Sequence, residues 1–151
     1  MTRLVPPSAS SPAVTAAMRG NRANDTLPEL LLRSALWKSG IRGYRKSLQD
    51  LPGRPDIAFP RYRLAVFIHG CFWHRCPKCN IQIPRTHTSY WEEKLRRNVE
   101  RDKNVFNQLE KAGWQSMRLW ECDIHQSLDW CVNQVGQKIR EISKNHHVPQ
   151  N

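Results

Sequence analysis

The sequence predicts a small α/β fold in which helices flank a mixed central sheet. Patterns typical of amphipathic helices lie near the start, in the middle and at the end of the chain, and runs typical of strands lie between them. The order of helix, three or four strands, helix, strand and helix is that of an α/β sandwich. With 151 residues the chain should form one domain over 25–145, between a flexible basic arm at 1–24 and a polar tail at 146–151.

The first half of the chain holds one helix and most of the sheet. The helix should begin after Thr26, because Thr26 and Glu29 have the spacing of a capping box, and it should end at Gly40. A turn at 51–55 is rich in proline and glycine. Around this turn the sequence predicts an edge strand over 43–48 and two further strands over 56–60 and 62–69.

The second half returns to helices around one strand. After an irregular segment at 70–88, Thr88 or Ser89 should cap a long helix that runs to about Ala112. A strand over 114–120 and a last helix over about 127–144 complete the predicted sandwich.

The charge of the chain is strongly positive and one-sided. Lys and Arg number 24 against 13 Asp and Glu, which gives a net charge of +11. Residues 114–151 carry equal numbers of both signs, so the whole excess lies in residues 1–113. Such a field is expected on a surface that binds a polyanion such as nucleic acid, although plain solubility is the simpler alternative.

Composition argues against several classes of protein. The longest uninterrupted apolar run, 64–68, is far too short to span a membrane, and the first residues have no apolar centre of a secretory signal. Five cysteines, an odd number, argue against a disulfide scaffold in a chain without an export signal. We therefore expect a cytoplasmic protein with free or metal-bound thiols and no contact with a membrane.

The cysteines have the spacing of a metal site. Three lie within nine residues, two of them in a Cys-x2-Cys pattern, and a fourth follows a predicted strand that could return beside them. The preferred ligands for a structural Zn²⁺ are the four thiolates of Cys71, Cys76, Cys79 and Cys122. His74 could replace one of them, and His125 is a weaker substitute. The alternative is a group of reduced, buried thiols.

Two carboxylates have sequence contexts typical of a site. Asp56 opens a strand after the proline-rich turn, which suits Mg²⁺, although an ordinary strand-edge aspartate is the alternative. Asp102 lies with Asn98 in the apolar stripe of the long helix. A carboxylate aimed at the core needs a partner. His69 and His74, near the end of the buried strand, are suitable partners, although a structural salt bridge would also satisfy Asp102.

Four motifs resemble those of a known enzyme family. They are Leu51-Pro-Gly-Arg-Pro-Asp56, the run from Val66 to His74, the segment from Trp91 to Asp102, and Trp120-Glu-Cys122. In this order they resemble the very short patch repair (Vsr) DNA mismatch endonucleases over about residues 18–122. The resemblance implies a restriction-endonuclease-like core with a structural Zn²⁺. It also implies a Mg²⁺-dependent nick in one strand of duplex DNA, 5′ to the thymine of a T·G mismatch left by deamination of 5-methylcytosine.

The resemblance also implies roles for individual residues. The implied active-site residues are Asp56 and the backbone of Ile68 as Mg²⁺ ligands, Glu29 as a supporting acid, His69, and His74 as a general base paired with Asp102. The sequence departs from the family pattern at Ile68, a position that often carries a hydroxyl. The second acid and the lysine that are usual in restriction-type sites are also absent from this strand end.

A further set of residues is implied in contacts with DNA. Phe72 and Trp73 would enter the duplex beside the mismatch, and Met18 would do so from the other groove. Lys94 and Asn98 belong to a shared motif and are expected to contact DNA as well. Opening a base stack costs roughly a few kcal/mol and costs least at a mispair, which suits apolar wedges.

Two other functions are compatible with the sequence. One is a zinc-containing DNA-binding module without catalysis, and the other is a related nuclease that acts on other DNA lesions. A binding module has no need of Asp56, Asp102 and the two histidines, and this favours a nuclease. One complete site per chain makes a monomer the simplest expectation.

Overall fold

The computed structural model describes residues 3–8 and 25–146 of the chain. Most of the predicted arm, including Met18, and most of the predicted tail lie outside these residues. Among the helices of the described part, none is both long enough and apolar enough to cross a lipid bilayer.

The described residues form a mixed sheet with flanking helices, which confirms the predicted α/β class. The strands are β1 (Arg45–Lys46), β2 (Ile57–Phe59), β3 (Leu64–His69) and β4 (Gln115–Trp120). The helices are α1 (Leu27–Lys38), α2 (Thr88–Lys111), α3 (Glu121–Gln126) and α4 (Leu128–Asn145). The sheet order is β1-β2-β3-β4; the first two pairings are antiparallel, and β3 runs parallel to β4.

Both faces of the inner strand β3 are covered. Val66 packs into a core that the sheet forms with α1, α3 and α4. Phe67 points to the opposite face, where Leu109 of α2 packs against the sheet. Burial on both faces explains the uninterrupted apolar run of this strand. It also places His69, which shares a strand face with Phe67, beneath α2 at the end of the sheet.

Helix α1 starts and stops where the sequence predicts, but its cap differs. Thr26 is the N-cap, and Gly40 follows the end of the helix with a φ of +80°. The Thr26 hydroxyl donates to Glu29 Oε1 (3.1 Å), and Glu29 Oε2 accepts from the backbone N–H of Asp25 (2.9 Å). The predicted reciprocal capping box is therefore wrong, because Glu29 accepts both bonds itself.

Helix α2 begins one residue earlier than predicted. Its N-cap is His87, in a left-handed conformation with φ 57°, rather than Thr88 or Ser89. The Thr88 hydroxyl is already engaged, since it donates to the backbone carbonyls of Pro84 and Arg85. A side chain that bonds back to the preceding turn does not cap the helix that follows.

Two strand boundaries and one short helix also differ from the prediction. The edge strand is shorter than 43–48, with only Arg45 and Lys46 paired to β2. Asp56 precedes β2 instead of opening it. Helix α3 was not predicted, because six residues are too few to show a helical period.

Gly53→Ala is expected to destabilise the protein more than Gly40→Ala. Gly53 has φ +74°, and a Cβ there would lie 2.4 Å from Val105 Cγ1 of α2, whereas a Cβ at Gly40 would meet nothing within 4 Å. Left-handed strain of about 1–2 kcal/mol is common to both variants, and the overlap should add about 1–3 kcal/mol at Gly53. Urea unfolding measures the difference. Equal losses in the free energy of unfolding for the two variants would contradict the close packing of the Gly53 turn on α2.

Candidate active site

The side chains predicted for catalysis line one cleft of about 840 Å³ at the end of β3. Glu29 comes from the first turn of α1, Asp56 from the segment before β2, and Asp102 from the middle of α2. His69 ends β3, and His74 lies in the irregular segment that follows. Groups far apart in the sequence thus face the same space.

Two carboxylates lie side by side in the cleft. Asp56 Oδ2 accepts a hydrogen bond of 2.7 Å from the backbone N–H of Ile68. Burial raises the pKa of Asp56 to about 6; the Ile68 N–H opposes this shift, and the neighbouring Glu29 adds to it. Glu29 is only 3% exposed. Asp56 is half-buried, and two adjacent acids of this kind form a donor set that a divalent cation would stabilise.

Neighbouring groups hold the Glu29 carboxylate in place. The backbone N–H of Asp25 and the Thr26 hydroxyl both donate to it. Arg33 Nη1 lies 3.6 Å from Glu29 Oε2, and the same guanidinium bonds to Asp25 at 2.5 Å. From the residues alone Glu29 was explained as a helix cap; the structure instead turns its carboxylate towards Asp56.

His74 and Asp102 form a hydrogen-bonded pair. His74 Nδ1 lies 2.6 Å from Asp102 Oδ2, and the Asp102 side chain is 13% exposed. Burial by itself would raise the pKa of Asp102, but the hydrogen bond with His74 and the nearby His69 lower it overall. With Asp102 ionised, His74 Nδ1 donates the proton of this bond, and in a neutral imidazole Nε2 is then the acceptor.

His69 stacks on His74. The two rings are nearly parallel, with centroids 3.8 Å apart. Burial, together with the neighbouring His74, lowers the pKa of His69 to about 3, so the ring is neutral near pH 7. Its Nδ1 lies 3.9 Å from Asp102 Oδ2 and has no hydrogen-bond partner within the described residues. Phe106 and Trp120, at centroid distances of 6.1 and 5.8 Å, hold the ring by packing.

The cysteines come together as a compact group, and their Sγ atoms all lie within 4.8 Å of one another. The members are Cys71, Cys76, Cys79 and Cys122. The Sγ atoms of Cys76 and Cys122 are 3.8 Å apart, close to the separation that a tetrahedral Zn²⁺ with Zn–S bonds of about 2.3 Å requires. Cys122 reaches the group because α3 turns the chain directly after β4. The four sulfurs therefore fit a thiolate Zn²⁺ site.

The substitute histidines lie elsewhere. His74 is engaged with Asp102, and His125 is exposed on α3. An ion pair between Lys78 and Asp123 ties the cysteine loop to α3. These placements favour four cysteines over a set that includes a histidine.

Three half-buried aromatic rings form a cluster beside the cleft. Phe72 and Trp73 pack edge to face at 5.0 Å, and Trp91 lies 5.7 Å from Phe72 and 5.9 Å from Trp73. Trp73 also lines the cleft. No role was predicted for Trp91, although its place in the same stripe of α2 as Asp102 was a usable signal.

The other three residues predicted to contact DNA differ in where they lie. Asn98 Nδ2 donates to the Trp73 carbonyl at 3.2 Å, so this side chain holds the aromatic segment from within the protein. Lys94 is half-buried on α2. Met18 lies outside the described residues.

Comparison with known proteins shows the family of the chain. Residues 12–80 match the family of the DNA mismatch endonuclease Vsr. The type II nicking enzyme V.NaeI of Lentzea aerocolonigenes is 47% identical over 130 residues, which are 83% of this chain and 75% of that protein. The DNA mismatch endonuclease Vsr of Escherichia coli K12 is 40% identical over 105 residues, 70% of this chain and 67% of that protein. The chain therefore belongs to the Vsr family of DNA mismatch endonucleases and is a hydrolase that cuts DNA.

Proposed function

We propose that the protein nicks one strand of duplex DNA, 5′ to the thymine of a T·G mismatch, and so starts very short patch repair. Such mismatches arise when 5-methylcytosine is deaminated. The observation that carries the proposal is the cleft, where the half-buried Asp56 and the buried Glu29 lie beside the His74–Asp102 pair. The name of the Escherichia coli relative supports action at a mismatch, and the name of V.NaeI supports a nick.

Asp56 and the backbone carbonyl of Ile68 would hold Mg²⁺, with Glu29 as the second acid. The adjacent carboxylates support this assignment, because the pKa of Asp56 is raised by burial and by the neighbouring Glu29, and a cation would offset both effects. The ion would neutralise charge on the scissile phosphate and stabilise the attacking and leaving oxygens. The Ile68 N–H fixes the plane of the Asp56 carboxylate. A ligand from the backbone also tolerates the absence of a hydroxyl at Ile68.

His74 would take a proton from the attacking water at Nε2. Asp102 holds the opposite ring nitrogen, which orients the imidazole and stabilises the imidazolium that forms. His69 stacks on the base while remaining neutral, so it adds no positive charge beside the metal site.

The aromatic cluster would open the duplex beside the mispair. Phe72, Trp73 and Trp91 form a contiguous apolar surface next to the cleft, which supports insertion between base steps. Met18 would enter from the other groove, and Lys94 would contact the phosphate backbone. The positive excess of the chain supplies attraction to DNA of any sequence.

The four clustered cysteines would bind a structural Zn²⁺ that fastens the active-site segment to α3. Burial raises the pKa of the Cys71 thiol, so a cation is needed to keep it ionised. His74 lies between Cys71 and Cys76 in the chain. A bound metal would therefore limit the movement of the His74 imidazole.

Cys122→Ser is expected to abolish the binding of one equivalent of zinc and to lower the free energy of unfolding by roughly several kcal/mol. Metal analysis of the purified protein measures the stoichiometry. Cys131→Ser is the control, because Cys131 is a fully buried thiol of α4 outside the cluster. Full zinc retention in Cys122→Ser would contradict the four-cysteine set.

Asp56→Asn is expected to stabilise the Mg²⁺-free protein at neutral pH. The pKa of Asp56 is raised from 3.8 to about 6, so the folded state binds more protons than the unfolded state between these values. The contribution of Asp56 to stability therefore falls as the pH rises through this window. The variant should be more stable than the wild type by about 2–3 kcal/mol at pH 7.5, and by roughly half of that at pH 5.

Urea unfolding at both pH values, without added Mg²⁺, measures this difference. Asp50→Asn, at an exposed aspartate outside the cleft, is the control and should show no such pH dependence. A lower free energy of unfolding for Asp56→Asn at pH 7.5 would contradict the claim that burial and the neighbouring Glu29 destabilise the ionised Asp56.

A panel of duplexes tests the specificity. With Mg²⁺, otherwise identical duplexes carrying T·G, A·C, a matched pair or an abasic site should be nicked fastest at T·G. Binding without nicking on every duplex would favour the non-catalytic module, and faster nicking at another lesion would favour the related nuclease. Gel filtration of the active complex should show one protein chain per duplex.

A further inference from the structure

Two large apolar side chains of α1 face the cleft instead of the core. Leu27 is 60% exposed and Leu30 is 47% exposed, and both line the same cleft as Asp56 and His74. On the same helix Leu32 is fully buried in the core. The helix therefore has two apolar surfaces, and only one of them packs into a core formed by the described residues.

The exposed pair forms a continuous surface. Leu27 and Leu30 are three residues apart, so they are neighbours on one side of the first turn. Glu29 lies between them in the sequence, and its carboxylate accepts hydrogen bonds from the Asp25 N–H and the Thr26 hydroxyl. Neither leucine is needed for the proton transfer or for the cation site proposed above.

We propose that Leu27 and Leu30 form an aliphatic strip that packs on the sugar and base faces of the DNA strand held in the cleft. This inference rests on the proposed function. The occupant is DNA because both leucines line the same cleft as the two acids and Trp73. The first turn of α1 and Asp56 line the same cleft, so a strand whose phosphate reaches Asp56 is placed to contact both leucines.

The strip would act only in the productive complex. Non-specific binding is dominated by phosphate contacts, which release counterions and depend on salt. Contacts of leucine with deoxyribose and bases release none, so they strengthen binding without changing the salt dependence. Their loss should therefore weaken the complex with a mismatched duplex and leave the weak binding of a matched duplex unchanged.

The test is the double substitution Leu27→Ser/Leu30→Ser in the full chain. Fluorescence anisotropy with a labelled T·G duplex should show an increase in Kd of about tenfold, with the same slope of log Kd against log salt. The Kd for the matched duplex should not change. Trp130→Ser is the control, because Trp130 is 48% exposed on α4 and does not line the cleft.

Thermal unfolding of the free double variant should match that of the wild type, since neither leucine belongs to a core cluster of the described residues. A fall in Tm of several degrees would mean that the two leucines pack against another part of the chain, and it would overturn the inference. An unchanged Kd in a protein whose wild type nicks the T·G duplex would overturn the inference alone. A wild type that neither binds nor nicks that duplex would overturn the proposed function as well.

Discussion

Asp56→Asn is expected to lower the rate of strand nicking by about three orders of magnitude, because it removes the carboxylate charge that would hold Mg²⁺. Loss of a metal contact of several kcal/mol at the transition state corresponds to a change of about this size. Single-turnover cleavage of a labelled T·G duplex at saturating protein measures the rate. The same substitution should stabilise the metal-free fold, so loss of activity cannot be ascribed to unfolding.

The Kd for DNA separates a loss of metal binding in Asp56→Asn from a general loss of function. Removing a negative charge from a basic surface should leave the Kd for DNA equal or lower. Asp50→Asn, which changes an exposed aspartate, should nick at the wild-type rate. Wild-type nicking by Asp56→Asn would contradict the assignment of the cation site.

Asp102→Asn is expected to lower the nicking rate by about two to four orders of magnitude. An amide can present its N–H₂ group to His74 Nδ1 and so favour the tautomer with the proton on Nε2, which cannot accept a proton from water. His74→Ala removes the base itself and should have an effect of similar size. Single-turnover rates measure both variants, and DNA binding should be retained in each.

The double variant Asp102→Asn/His74→Ala tests whether the two residues act as a unit. If Asp102 works through His74, the double variant should be no slower than His74→Ala alone. Asp129→Asn, at an exposed aspartate of α4, is the matched control and should be fully active. If the fold-loss in rate of the double variant equals the product of the two single fold-losses, Asp102 acts independently of His74.

Much of the fold was predictable because its signals are local. The burial of Asp102 follows from its place in the apolar stripe of α2, and helical periodicity needs only neighbouring residues. The buried β3 follows in the same way from an uninterrupted apolar run. The pairing of Asp102 with His74 was suggested by position, but its geometry depends on how the irregular segment folds back under α2.

Sequence reasoning was incomplete where a local pattern has two explanations or where an element is too short to show a pattern. Glu29 has the spacing of a capping residue, and before the structure only the family resemblance pointed to a role in the site, beside Asp56. Trp91 lies in an apolar stripe, which is usual for a core residue, yet it packs on two other rings beside the cleft. Helix α3 is stabilised by its tertiary position and is too short for its periodicity to be seen in the sequence.

One measurement tests the central claim most directly: the position of the cut in a duplex with a single T·G mismatch and separately labelled strands, incubated with the protein and Mg²⁺. Denaturing electrophoresis should show one product, from a nick directly 5′ to the mismatched thymine, with the guanine strand intact. The matched duplex should remain uncut, and chelation of Mg²⁺ should abolish the product. Binding of the T·G duplex without strand scission, over varied flanking sequences, would contradict the account.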